Sequence, residues 1–150
     1  MKKRQGEPWM EPGAYARTLR GFNVNLAVRD VAASVAFQRE VLGVEVVYSD
    51  ADLGVMRHDG HEWLVHAVHT YMDEDGGEMP FLTHTKAADS RGRGVELRLY
   101  NIDPDAAEAR ARARGDRVLA ASQDKPHGLR ECYLLDPDGY VWVPGVPCDS

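Results

Sequence analysis

The chain has 150 residues, 43% of them hydrophobic, which is enough for one proper core and too little for two ordinary independent domains. A formal charge of -6 argues against a general nucleic-acid binder, which needs a basic face, and two cysteines without CxxC spacing, Cys132 and Cys148, offer neither a disulfide framework nor a zinc-thiolate site. No apolar run approaches the ~20 residues that cross a bilayer, and the start MKKRQGEPWMEP lacks the apolar stretch of a secretory signal, so the expectation is a reduced, cytoplasmic protein without membrane contacts.

Residues 1–19 mix Lys, Arg, Glu, Pro and Gly without periodicity and read as a flexible N-terminal arm, with Trp9 and Tyr15 as its only docking groups. Asn23 to Val28 then alternates apolar and polar side chains with the period of a strand. Asp30 is an N-cap for a helix from Val31 to Leu42, whose buried side is Val31, Val35, Phe37, Val41 and Leu42 and whose stop is Gly43. Strands follow at 44–49, 53–58 and 61–68, separated by Ser49-Asp50-Ala51-Asp52 and by Asp59-Gly60. Residues 72–93 are the one long irregular stretch, either a linker or a lid, with Met79, Pro80, Phe81 and Leu82 able to pack.

The order then repeats. Val95, Leu97 and Leu99 alternate with Glu96, Arg98 and Tyr100, and Asp103-Pro104 opens a helix that runs to Arg114 and stops at Gly115. Strands at 117–122 and 129–135 lead to the tight turn Asp136-Pro137-Asp138-Gly139 and a last strand at 140–143. The cap aspartate falls seven residues after the first polar inward position in both copies, Asn23 to Asp30 and Glu96 to Asp103, which is what identifies the repeat. Alternation places Val24, Leu26, Val28, Val95, Leu97 and Leu99 under the helices, and Asn23, Asn25, Ala27, Glu96, Arg98 and Tyr100 on the opposite face.

Two such modules, with the phrases VRDVAASVAFQREVLG, NIDPDAAEARARARG and GLRECYLLDPDGYVW, resemble the vicinal oxygen chelate superfamily of glyoxalase I, bleomycin-resistance proteins and extradiol dioxygenases. The resemblance spans residues 20–146. It implies an α+β fold of two tandem βαβββ modules, 20–71 and 94–146, forming a cupped mixed sheet with helices on the convex side, within a single domain over 20–150. Catalytic members hold a divalent ion through positions that fall here on Asn23, on Leu64 or its neighbour His66, on Glu96 and on Val143. Asn is a poor ligand where an imidazole is usual, and Val143 cannot donate, so no metal or other cofactor is expected. Glu96 and His66 are the pair from which a metal site could still be built. His58, His61, His66 and His69 lack zinc spacing, and strand alternation separates them.

Without a metal, Glu96 must be paired, solvated or used on a ligand, and Arg98 two residues along is its internal partner. Trp63 and Tyr100 can stack on a flat ligand, with Trp9 or Phe81 as lids, while Trp142 points opposite to Val143 into the core. Cys132 reads as a small core residue and His127 as a loop histidine. HGLRE-x4-DPDG is similar to the antibiotic-binding branch, which lacks the metal and implies a homodimer. The ligand-binding candidates are therefore Asn23, Asn25, Trp63, His66, Glu96, Arg98, Tyr100 and Val143. The first expectation is a metal-independent protein that binds a small aromatic or cationic metabolite or antibiotic. The others are a metal-dependent lyase, epimerase or dioxygenase, or a metal-free enzyme with Glu96 or His66 as acid or base.

Overall fold

The computed structural model describes residues 5–72, 80 and 91–148. The elements are α1 (Pro12–Ala16), β1 (Asn25–Val28), α2 (Val31–Phe37), β2 (Glu45–Ser49), β3 (Leu53–His58), β4 (His61–Ala67), β5 (Glu96–Tyr100), α3 (Pro104–Arg114), β6 (Arg117–Asp124), β7 (Leu129–Leu135) and β8 (Val141–Pro147). They form an α+β fold with two four-stranded mixed sheets of the same order, β1-β4-β3-β2 and β5-β8-β7-β6. In each, the opening strand runs parallel to the last and the remaining pairs are antiparallel. The chain divides into two compact units, residues 1–35 with 45–87, and residues 36–44 with 88–150. Among the described residues no helix is long and apolar enough to cross a membrane.

In the first unit, Leu26, Val28, Val31, Val35, Val65 and Ala67 are buried, as the two periodicities require. Gly54 allows helix and sheet to approach. A Cβ at this position would stand 2.6 Å from Val65 Cγ2 and 2.9 Å from Val35 Cγ2, both branched and buried. Gly54→Ala is therefore expected to cost about 1–3 kcal/mol through overpacking, read as a lower urea midpoint, and Val65→Ala in the same chain should restore part of it.

The helix that follows Asp30 does not stay α to its end. After Phe37 it widens into a π-helical turn over Gln38–Leu42, closed by Gly43 in the left-handed conformation at φ 73°. The extra residue in that turn leaves Gln38, Val41 and Leu42 all buried, a geometry that apolar spacing alone does not distinguish from α.

Residues 5–18 dock on the first unit through contacts that composition did not reveal. Asp52, with no exposed surface, accepts the N–H groups of Gln5 and Gly6 at 2.7 Å each and bonds His69 Nε2 at 2.6 Å. A buried carboxylate is tolerable only when donors replace its water, and the arm supplies two of them. Trp9 stacks on Tyr48 with centroids 5.2 Å apart. The linker or lid expected at 72–93, with Met79, Phe81 and Leu82, lies outside the described residues apart from Met72, Pro80 and 91–93.

In the second unit, α3 begins where the sequence places it. Asp103 accepts from the N–H groups of Asp105 and Ala106, Pro104 takes the first turn, and Gly115 at φ 81° ends it. Pro104, Ala107 and Ala111 turn inward, and Cys132 Sγ reaches Pro104 O at 3.4 Å. Arg110 Nε donates to Val41 O at 2.8 Å, tying the π turn to α3. The DPDG turn is built on Asp136, which accepts from Asp138 N, Tyr140 N and Trp142 Nε1 at 2.9, 3.0 and 3.0 Å. Trp142 is buried, in the core role expected of it.

Val95 departs from the alternation. It was expected under the helices, but it precedes the strand, its N–H donates to Gly92 O, and it is 50% exposed. Strand pairing begins only at Glu96, opposite Val141.

Candidate functional site

The register of the second sheet gathers a polar set on one face. Glu96, Arg98 and Tyr100 of β5 stand level with Val141, Val143 and Gly145 of β8. Glu131 of β7 pairs with Gly145, and Leu135 with Val141, which by alternation sets Tyr133 beside Val143 on the same face. Leu97, Trp142, Leu134 and Cys132 take the other face. Along the polar face runs a groove of ≈ 770 Å³, lined by Arg93, Glu96, Arg98, Leu119, Tyr133, Leu135 and Val141 with glycines 92, 94 and 139.

Arg98 is the centre of this face. Its Nη1 donates to Glu96 Oε2 at 2.8 Å, and its Nη2 donates to Glu131 Oε2. Glu131 is only 1% exposed. Its other oxygen accepts from the Tyr133 hydroxyl at 3.0 Å, and His127 Nε2 lies 3.6 Å away. Burial pushes the Glu131 carboxyl up, yet the Tyr133 hydroxyl, the charge and hydrogen bond of Arg98, and His127 together hold it below the ordinary carboxylate range. For Arg98, burial works against the charge, while hydrogen bonds to Glu96, Tyr100 and Tyr133 and the charge of Glu131 outweigh it, so the guanidinium is held more firmly protonated than usual.

The internal Glu96–Arg98 pair weighed from the sequence is therefore present. Glu131 and Tyr133 were missed. The available signal was a single glutamate in phase with a tyrosine inside the apolar run LRECYLL, with Cys132 and Leu134 on the alternate face. Val143 is 1% exposed and Tyr100 is 51% exposed at the far end of β5.

The first unit carries a separate polar cluster. Asn25 Nδ2 donates to the Tyr71 hydroxyl, and Asn25 Oδ1 lies 2.5 Å from His66 Nδ1. Because Oδ1 can only accept, the proton of His66 is placed on Nδ1 by this network. Tyr71 is buried, and burial, against the Asn25 bond, raises its hydroxyl above the ordinary value. Asn23 donates to Glu62 O at 3.1 Å. Trp63, whose register the sequence left ambiguous, is buried on the helix-packed face with Val65, two residues on, because β3–β4 pairing sets Leu64 and His66 on the opposite side. His58 and His61 pair across a hairpin and His69 bonds Asp52, so the four histidines of this region serve different places.

Within the second unit, both carboxylates of the polar face are bound to the Arg98 guanidinium, and Val143 brings no donor atom. Among the described residues no three His, Cys, Asp or Glu side chains come together in a metal-holding group. Burial pushes the Cys132 thiol up to about 11.

Residues 23–142 match the glyoxalase-like domain family. No protein of curated function matches the chain. Among solved structures, the chain is similar to a glyoxalase-related enzyme from Fulvimarina pelagi, at 22% identity, TM-score 0.65, and coverage of 85% of this chain and 87% of that one. It is similar to a glyoxalase/bleomycin resistance protein/dioxygenase from Nocardioides at 21% identity, TM-score 0.60, with coverage of 92% and 93%. A glyoxalase/bleomycin resistance protein/dioxygenase family enzyme from Burkholderia phytofirmans PsJN follows at 18% identity and TM-score 0.64, with coverage of 83% and 96%. These likenesses establish the fold.

Proposed function

The chain belongs to the glyoxalase-like domain family, and on that premise we propose that it is a metal-independent small-molecule-binding protein of the glyoxalase/bleomycin-resistance type, acting as a homodimer on an aromatic metabolite or antibiotic. The observation that carries this reading is the state of Glu96. At a position where catalytic relatives keep a metal ligand, it is bound to Arg98, which is itself held by a buried carboxylate. Arginine-paired carboxylates beside exposed Leu119 and half-buried Tyr133 and Leu135 form a surface with apolar walls and a few placed charges, as small-molecule sites do. The groove's ≈ 770 Å³ lies within the range of about 300–1,000 Å³ usual for ligand pockets.

Elemental analysis of purified protein, together with calorimetry against a panel of aromatic cations and neutral aromatics, tests the proposal. The expected result is sub-stoichiometric Ni, Zn, Mn and Fe, and one-to-one binding of at least one compound that Leu119→Glu weakens. Stoichiometric metal that Glu96→Ala releases would overturn it in favour of a metal-dependent lyase, epimerase or dioxygenase. Light scattering checks the homodimer, and a monomer at micromolar concentration would remove that part of the reading.

A further inference from the structure

We propose that Arg98 selects the ligand: the groove of the second sheet takes an uncharged, electron-rich aromatic ring, stacked flat on the Arg98 guanidinium. This rests on the small-molecule-binding reading above and names the chemical class of the ligand.

The N–H groups of a guanidinium all lie in its plane. In Arg98 they meet Glu96 Oε2 at 2.8 Å, Glu131 Oε2, and the hydroxyls of Tyr100 and Tyr133. Bonds made in the plane hold it in place and do not use its faces. The side chain still keeps 27% of its surface and lines the groove, so what it offers a ligand is a flat cationic face rather than a donor edge. Tyr133 does not offer its ring in the same way, because Lys125 Nζ already stands 5.5 Å from the ring centroid. Apolar side chains stand next to the guanidinium. Arg98 is level with Val143, and one pleat along the same face Val141 pairs with both Glu96 and Leu135. Val141 and Leu135 line the groove together with Arg98.

Charge decides the class of ligand. A carboxylate would have to take Arg98 from Glu96 or from Glu131, which is 1% exposed. A cationic ring laid on the guanidinium meets like charge at contact distance. An uncharged ring leaves every in-plane bond intact, covers a weakly hydrated face, and sets its negative π cloud against the positive charge. Electron-donating substituents strengthen that contact and electron-withdrawing ones weaken it. A ring held only by Val141 and Leu135 would not distinguish them.

Calorimetry on the full chain with indole, and with a methoxyindole and a nitroindole substituted at the same carbon, tests this. N-methylquinolinium serves as a cationic ring of similar size. Affinity is expected to fall from methoxy to unsubstituted to nitro by about two- to fivefold per step, the worth of a partly exposed cation–π contact, with the cation weakest. Arg98→Lys keeps a charge beside Glu131 but loses the plane, and should bring the indoles within about twofold of one another. Lys125→Gln should leave the order unchanged. A flat or reversed order in the wild-type chain, or tighter binding of the cation, would overturn the proposal even if Arg98→Lys does not fold. So would an order that survives Arg98→Lys or is lost in Lys125→Gln. If no indole binds while an aromatic cation binds in a Leu119-sensitive way, the proposal falls and the small-molecule reading stands. If no compound of either panel binds, both readings fall.

Discussion

Arg98→Ala is expected to destabilise the protein by about 3–5 kcal/mol at neutral pH, the range for removing one partner of a buried ion pair. The cost comes from what remains. Among the described residues, Glu131, 1% exposed, would keep the Tyr133 hydroxyl and a distant His127 to compensate its charge. Arg98 is itself about a quarter exposed, so solvent screens its outer contact with Glu96 far more than its inner contact with Glu131. Removing both charged groups should be milder than removing the arginine alone, and the Arg98→Ala, Glu131→Gln double variant is expected to recover part of the loss.

The pH dependence has a definite sign. The folded-state value of Glu131 lies below its unfolded one, so its contribution is present above the unfolded carboxylate value near about 4.3 and is lost as pH falls through the folded value. In Arg98→Ala the same carboxyl should protonate at higher pH, and the gap to wild type should narrow in acid. Urea unfolding at pH 7 and pH 4 measures both effects. A loss below about 1 kcal/mol at pH 7, the scale of an exposed ion pair, would show that Glu131 is not the buried anchor the geometry makes it.

Asp136→Ala should cost a similar amount. It removes the acceptor of Asp138 N, Tyr140 N and Trp142 Nε1 at once, and all three are buried bonds. Each buried donor left without a partner costs about 1–3 kcal/mol, so a total of about 3–5 kcal/mol is expected with partial access of water. Asp136→Asn keeps one oxygen for the two backbone donors and turns an amide N–H toward the indole. Its loss should be about 1–2 kcal/mol, from the Trp142 bond alone. Burial raises the Asp136 carboxyl, against the hydrogen bonds from Trp142, Tyr140 and Asp138. Its contribution is thus fully present below the unfolded value and falls as pH rises through the folded one, opposite in direction to that of Glu131. Thermal or urea unfolding followed by tryptophan fluorescence measures these losses. Equal stability of the Asn and Ala variants would contradict the three-donor account.

The cap signals were legible because they are local. Asp103, Pro104 and Gly115 bound α3 where their own backbone preferences put them, and alternation alone set Leu26 and Val28 inside. The repeat was legible for the same reason, and the two sheets share one strand order. Val95 was misread because alternation does not say where pairing starts, and the Gly92–Val95 turn delays it by a residue. Trp63 was ambiguous because a one-residue slip reverses every side chain, and only the pairing of β3 with β4 removes that freedom. The docking of Gln5 and Gly6 on Asp52 left no pattern to read, since the donors are backbone N–H groups that any residue carries.

What the sequence determined by itself was the repeat, the family it resembles and the polar face of GVELRLYNID, because caps, periodicity and turn residues act within a few positions of one another. The tertiary structure decided what that face does. Glu96 and Arg98 are two residues apart, but Glu131 is thirty-three residues from Arg98 and comes beside it only through β8, which pairs with both strands. Whether Glu96 is a free ligand or an arginine-bound carboxylate depends on that third group, and strand pairing across distant sequence is a property of the whole sheet rather than of any stretch within it.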